Sequence, residues 1–188
     1  MGIILLILVG SAIAAVLIVA ATKSNTSRIQ RSATIAAPAD TVLSHVEDFQ
    51  KWRAWSPWEA LDPDLHRTYS GADAGVGAIY EWRGTGKAGA GRMEILERTA
   101  SKIAIKLDFI KPFTAKNIAE FILQPQGDGQ VLTWIMTGPQ PFPVKVMGTL
   151  FNMDDLVGKD FEAGLKNLKT LSEDPETAKL VDQENATS

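Results

Sequence analysis

Lys102-Ile-Ala-Ile-Lys-Leu-Asp-Phe109 is the stretch on which the fold turns. Ile103, Ile105, Leu107 and Phe109 alternate with Lys102, Ala104, Lys106 and Asp108, a period of two that sends successive side chains to opposite faces of a strand. One face is apolar and the other mostly charged, so the strand belongs to a sheet with one side on a core and one side in water. The neighbouring segments repeat the pattern. Upstream, Gly91, Met93 and Ile95 alternate with Arg92, Glu94 and Leu96, and Ala78, Tyr80 and Trp82 alternate with Ile79, Glu81 and Arg83. Downstream, the segments 116–124 and 130–137 are joined through Gly127-Asp-Gly129, a hairpin signal. Both of these carry apolar residues on each face, so periodicity does not fix their inward side. Gly84-Thr-Gly-Lys-Ala-Gly89 matches the dinucleotide fingerprint G-x-G-x-x-G. That fingerprint needs a strand before it and a helix after it; with strands on both sides it predicts a hairpin turn.

Beyond the turn-rich Gly138-Pro-Gln-Pro-Phe-Pro143, Asn152 is placed to cap a helix whose first turn holds Asp154 and Asp155. Leu156, Val157, Phe161, Gly164, Leu165, Leu168 and Leu171 then recur at spacings of three and four, which predicts a long helix with one apolar face. On the other side of the meander, Ser32 to Ala37 is a short strand candidate. It feeds Pro38 to Asp48, where Pro at the start and apolar Val42, Leu43 and Val46 suit a short amphipathic helix. Phe49 to Trp55 makes a second helical turn that Ser56-Pro57 ends. A strand, two short helices, about six antiparallel strands and a long last helix make an α+β class.

Ile3 to Ala21 is 19 residues without a charge, and at helical rise it reaches about 29 Å, close to the hydrocarbon thickness of a bilayer. It reads as a single-pass membrane anchor. A cleaved signal peptide is the rival, but no Lys or Arg precedes the run and it exceeds a usual signal core. Lys23, Arg28 and Arg31 follow it, so the positive-inside rule favours a cytoplasmic main domain. The organisation expected is an anchor over 1–22, a linker over 23–29, a folded domain over 30–172 and an acidic, disordered tail over 173–188. The 188 residues carry 19 basic and 22 acidic groups, scattered, so no basic stripe exists to bind nucleic acid. Cysteine is absent, which excludes disulfides, thiolate metal sites and Cys nucleophiles.

The stretches Ile35-Ala-Ala-Pro-Ala-Asp-Thr-Val42, Phe49-Gln-Lys-Trp-Arg-Ala-Trp-Ser-Pro-Trp58, Gly75-Val-Gly-Ala-Ile-Tyr-Glu-Trp82, Gly89-Ala-Gly-Arg-Met-Glu-Ile95 and Asp155 to Lys169 carry a family likeness. Through them the chain, from about Gln30 to Leu171, resembles the START-like superfamily (SRPBCC), in particular its bacterial polyketide cyclase/dehydrase-type branch. The resemblance implies a helix-grip fold, a curved antiparallel sheet wrapped around the long C-terminal helix, with a cavity between them. Trp58, Tyr80, Trp82, Met93, Phe109, Phe121, Trp134 and Phe161 are the large side chains expected to line such a cavity, although aromatic residues also fill ordinary cores. Trp52, Trp55 and Trp58 fall three apart and are expected to wedge the short helices onto the sheet. A hinged lid over Glu59 to Asp64 is the functional alternative.

No catalytic or metal constellation stands out. His45 and His66 have no partners in a triad pattern and no metal-ligand spacing, and both are expected on the surface. Glu94 and Asp108 fall on the charged faces of their strands, outside any cavity. The function expected is therefore a membrane-anchored domain that binds a small apolar or amphipathic, lipid-like ligand without catalysis, cofactor or metal. A cyclase or aromatase acting in the same cavity, and a structural or stress-related interaction domain, are the alternatives; no particular protein partner is indicated.

Overall fold

The computed structural model of the chain describes residues 2–174. α1 (Gly2–Thr22) is the apolar segment, and one long meander follows it. The strands are β1 (Thr26–Ile35), β2 (His66–Gly71), β3 (Ala78–Arg83), β4 (Ala90–Thr99), β5 (Lys102–Lys111), β6 (Ala115–Gln126) and β7 (Gly129–Pro139). They form one seven-stranded antiparallel sheet in the order β1-β7-β6-β5-β4-β3-β2. Between β1 and β2 lie α2 (Ala39–Val46) and two 3₁₀ turns, Phe49–Ala54 and Pro57–Ala60. After β7 come α3 (Phe142–Leu150) and the long α4 (Met153–Glu173). This is the α+β helix-grip architecture expected, with irregular register in β4 at Ala90/Gly91 and Ile95/Glu97 adding bend to the sheet.

Three local expectations change. β1 starts at Thr26, six residues before Ser32, and pairs with β7 along its whole length, from Thr26 opposite Pro139 to Ile35 opposite Gln130. Its alternation is masked in sequence because the inward position beside Ile29 is the charged Arg31. α3 occupies a region that reads as turns only. Pro143 sits in its first turn, where the missing N–H costs nothing, and its apolar residues face outward, so no inward stripe announces it. His45 is 5% exposed, buried on the inner side of α2 rather than at the surface. The expected acidic tail lies, beyond Asp174, outside the described residues.

The concave face of the sheet has two unlike ends. At one, Ile95, Ile103, Phe121, Leu123, Leu132 and Ile35 are buried under Val42, Leu43, Val46, Trp52 and Trp55 and under Leu165, Leu168 and Leu171 of α4. Here the core is closed. At the other end the inward-facing Trp82, Leu107, Phe109, Asn117 and Met136 stay partly exposed. α4 packs on β1, α2 and the second 3₁₀ turn, so it covers the sheet unevenly. Arg31 ties its first turns down, with Nη2 on Asp154 at 3.0 Å and Nε on Glu162 at 2.8 Å. Gly158 permits this, since a Cβ there would lie 2.0 Å from the Arg31 guanidinium.

Candidate functional site

The sequence-expected lining residues divide between the two ends. Phe121, Trp134 and Phe161 are buried and stacked, with Trp134 to Phe161 ring centroids 4.2 Å apart at 9° and Phe121 to Trp134 4.8 Å apart at 29°. Trp52, Trp55 and Trp58 lie edge-on to Trp134, at 6.4, 5.6 and 5.5 Å. These rings form a solid partition across the middle of the grip, where the cavity was expected. Trp52 Nε1 donates to Val46 O at 2.9 Å and Trp55 Nε1 to His45 O at 3.0 Å, which locks the wedge.

On the open side of the partition lies an apolar platform. Trp58, Trp82, Leu107, Phe109, Met136 and Val157 border it, half-buried, and Met93 and Tyr80 are buried in its floor. Trp82 lies across Gly91, where a Cβ would meet the indole at 2.3 Å, and is fixed by Nε1 donating to Ala88 O at 3.0 Å. Phe109 meets Trp82 edge-on at 6.0 Å. The amide of Asn117, opposite Leu107, is the polar group among these apolar neighbours; its Nδ2 contacts the Met136 sulfur at 3.9 Å. Of the residues expected at a cavity, Trp58, Tyr80, Trp82, Met93 and Phe109 lie at this platform, while Phe121, Trp134 and Phe161 belong to the partition. Leu107, Asn117 and Met136 are lining residues that sequence reasoning missed. Leu107 was on the apolar face of β5 but was not among the large aromatic and Met side chains expected at the cavity, and the inward side of β6 and β7, which carry Asn117 and Met136, was not fixed by their periodicity.

A second missed feature flanks the platform. Glu59, on the second 3₁₀ turn, accepts from Tyr80 Oη at 2.6 Å and from Arg67 Nε at 2.7 Å, with its side chain only 8% exposed. Tyr69 stacks on Tyr80 at 5.1 Å. The segment Glu59 to Asp64 is therefore pinned: Asp62 accepts from Thr85 N at 2.6 Å and Thr85 Oγ1 at 3.0 Å. Those bonds, with the Asp64 N–H, hold the Asp62 carboxyl below the ordinary range. Glu94 pairs with Arg92 at 2.7 Å and Asp108 with Lys106 at 3.2 Å, on the convex face as expected.

Burial, then the charge of Glu59, pushes the Tyr69 phenol up to about 12. Burial, followed by the hydrogen bond to Glu59 and its charge, raises Tyr80 further. The folded state keeps these protons when the unfolded chain loses them, so stability is full below an ordinary tyrosine pKa of about 10 and falls as pH rises above it. These are the chain's 2 tyrosines. Tyrosinate absorbance of the folded protein is expected to stay low through about pH 11, against a midpoint of about 10 for the unfolded chain; a folded midpoint near the unfolded one would contradict the cluster.

Two surface hollows are shallow and lie elsewhere. One of 220 Å³ is lined by His66, Thr68, Glu81 and Arg83 on the convex side, and one of 370 Å³ is bordered by residues 36–38, Thr41 and the last turn of α4. No His, Asp and Glu grouping suited to a metal exists among the described residues.

Residues 26–173 match the family model described as polyketide cyclase / dehydrase and lipid transport. The chain belongs to this family. No curated protein is similar enough in sequence to match. Solved structures with the same fold include protein CV1439 from Chromobacterium violaceum, at 19% identity over 80% of this chain and 98% of that one, TM-score 0.55. The KanY solution structure matches at 15% identity over 80% and 100%, TM-score 0.60. The di-domain ARO/CYC BexL from the BE-7585A biosynthetic pathway matches at 14% identity over 83% of this chain and 53% of its own, TM-score 0.61. At these identities the likeness is one of fold. In this member of the polyketide cyclase / dehydrase and lipid transport family, the START-like ligand-binding framework carries an additional apolar N-terminal helix, long enough to cross a membrane or to serve as a signal sequence.

Proposed function

We propose that the chain is a membrane-tethered START-like domain whose open concave end binds a small apolar or amphipathic, lipid-like molecule without transforming it. The observation that carries this reading is the uncovered inner surface: Trp82, Leu107, Phe109 and Met136 face inward yet remain partly in water. Surface of that kind in the mouth of a concave sheet is suited to a ligand's apolar body. Asn117 supplies one polar contact, and the aromatic partition limits how deep the ligand goes. The ligand rests on the platform and reaches out of the grip. Tethering by α1 keeps the platform near membrane-dissolved molecules and raises their effective concentration.

The test is extraction of the full chain in mild detergent followed by native mass spectrometry. A bound small molecule is expected on the wild type. Phe109→Asp should lower its occupancy at least about tenfold, since an anionic side chain on the platform costs more than the ~1.4 kcal/mol that a decade of affinity represents. A wild-type protein that carries nothing, or a variant that retains the ligand fully, would refute the assignment.

One observation favours a second reading, a cyclase-type enzyme: the Tyr80 phenol and Glu59 carboxylate are joined by a 2.6 Å hydrogen bond at the edge of the same platform. Such a pair can donate and accept a proton beside a bound carbonyl compound. Turnover of a polyketide-like substrate that is lost in Tyr80→Phe while ligand binding persists would select this reading over simple binding.

A further inference from the structure

We propose that the outward face of α3 lies in the headgroup layer of the bilayer crossed by α1, so that the open end of the sheet faces lipid; this extends the anchored reading above. α3 is built inside out for a helix in water. Its one charged residue, Lys145, is 7% exposed and donates from Nζ to Asn25 Oδ1 at 2.7 Å. Phe142, Val144, Met147 and Leu150 are exposed instead, Leu150 at 59%, and Phe151 continues the patch. A surface helix of a soluble domain puts its apolar stripe on the core and its charges outward. The reversed pattern marks an apolar partner.

The position of α1 says which partner. α1 packs on α3, and its residues withdrawn from solvent, Val16 and Ala20, are one turn apart on one side. Val16 lies six residues before the end of α1 at Thr22, so α3 runs beside roughly the last 9 Å of the apolar helix. Lys23, the first charge after that helix, donates to the Gly148 carbonyl and fixes α3 at this level. If α1 crosses a bilayer, α3 is held within the ~5–10 Å of the boundary that interfacial helices occupy. A soluble partner would have to seat itself against a helix already in hydrocarbon. Lipid is there already.

The β5–β6 tip belongs to the same surface. Phe113 is 82% exposed there, between Lys111 and Lys116, and this tip lies at the same end of the sheet as the start of β1 and the end of β7. An exposed aromatic flanked by lysines fits a headgroup layer, with the ring below and the ammonium groups at phosphate level. Trp82 and Phe109 then open toward lipid rather than bulk water.

The chain has no cysteine, so single cysteines report unambiguously. The full chain would be labelled with an environment-sensitive fluorophore at Met147→Cys, Phe113→Cys, Ile13→Cys or Asp128→Cys and reconstituted in phosphatidylcholine vesicles containing acyl-chain quenchers. Labels at Met147 and Phe113 are expected to lose fluorescence to a shallow quencher and the label at Ile13 to a deep one. The label at Asp128, on the opposite hairpin tip, should lose none to either. A quenched Ile13 label with Met147 and Phe113 as unquenched as Asp128 would overturn the docking surface alone. An unquenched Ile13 label would overturn the anchor and the docking surface together.

Discussion

Trp134→Ala is expected to lower the stability of the domain by about 3–5 kcal/mol, the range for removing a buried large aromatic side chain. The physical basis is the number of rings that meet on this one side chain. Phe161 and Phe121 stack on it at 4.2 and 4.8 Å, and Trp52, Trp55 and Trp58 contact it edge-on. The space left has little prospect of collapse, because β7 is paired on both sides and α4 is held at the close approach that Gly164 permits. A Cβ at Gly164 would lie 2.9 Å from the Trp134 ring. The comparison variant is Trp134→Phe. Nε1 of Trp134 is buried and makes no hydrogen bond to the described residues, so Phe removes an unsatisfied donor while keeping a ring in the stack. Its cost should be about 1–2 kcal/mol, a partial cavity from the lost ring atoms offset in part by removal of the unsatisfied donor. Urea unfolding of the full chain in detergent, followed by near-UV circular dichroism, reads both. Equal losses for Ala and Phe would mean that a smaller ring contributes nothing here and that only the full indole fills the partition.

That partition also shows how far the sequence reaches. The strand around Ile105 was legible because Lys106 and Asp108 contrast with Leu107 and Phe109, and one face had to be buried. The long helix was legible because its leucines recur on one side beneath an Asn cap. α3 was not, since its apolar side chains point away from the protein and its lone lysine points in; a pattern that assumes water outside cannot find it. The joining of Glu59, Arg67 and Tyr80 was also hidden. They lie on a 3₁₀ turn and two adjacent strands, and only the pairing of Tyr69 with Tyr80 across β2 and β3 brings them together. Of the eight aromatic and Met residues expected at a cavity, the six on strands, Tyr80, Trp82, Met93, Phe109, Phe121 and Trp134, share the inner face of the sheet, as the period of two requires, while Trp58 and Phe161 come from the second 3₁₀ turn and α4. Whether such a residue fills the core or borders the mouth depends on its height along the strand relative to α4, which periodicity does not encode. Trp134 and Met136 illustrate this: two residues apart on one face, one is enclosed and the other partly open.

Glu59→Gln is expected to destabilise the fold by roughly 2–3 kcal/mol, somewhat less than the loss for one member of a fully buried pair. In the wild type burial lowers the Arg67 pKa, but the hydrogen bond and charge of Glu59 more than offset that and hold it above the ordinary value. The variant loses this support, yet Arg67 keeps its charge because an ordinary guanidinium titrates far above neutral pH. Its side chain is 20% exposed, so water compensates only part of the lost partner. Tyr80 Oη meanwhile retains an amide oxygen to donate to, which makes the uncompensated guanidinium the main cost. The double variant Glu59→Gln/Arg67→Met removes both charges, leaves Tyr80 Oη its amide oxygen, and should recover most of the loss, because no uncompensated charge then remains buried. Thermal unfolding of the single and double variants separates the two origins. Recovery in the double variant assigns the effect to the stranded charge. A double variant as unstable as the single one would instead make the Glu59 carboxylate itself indispensable, as the anchor of Tyr80 and of the second 3₁₀ turn beside the platform.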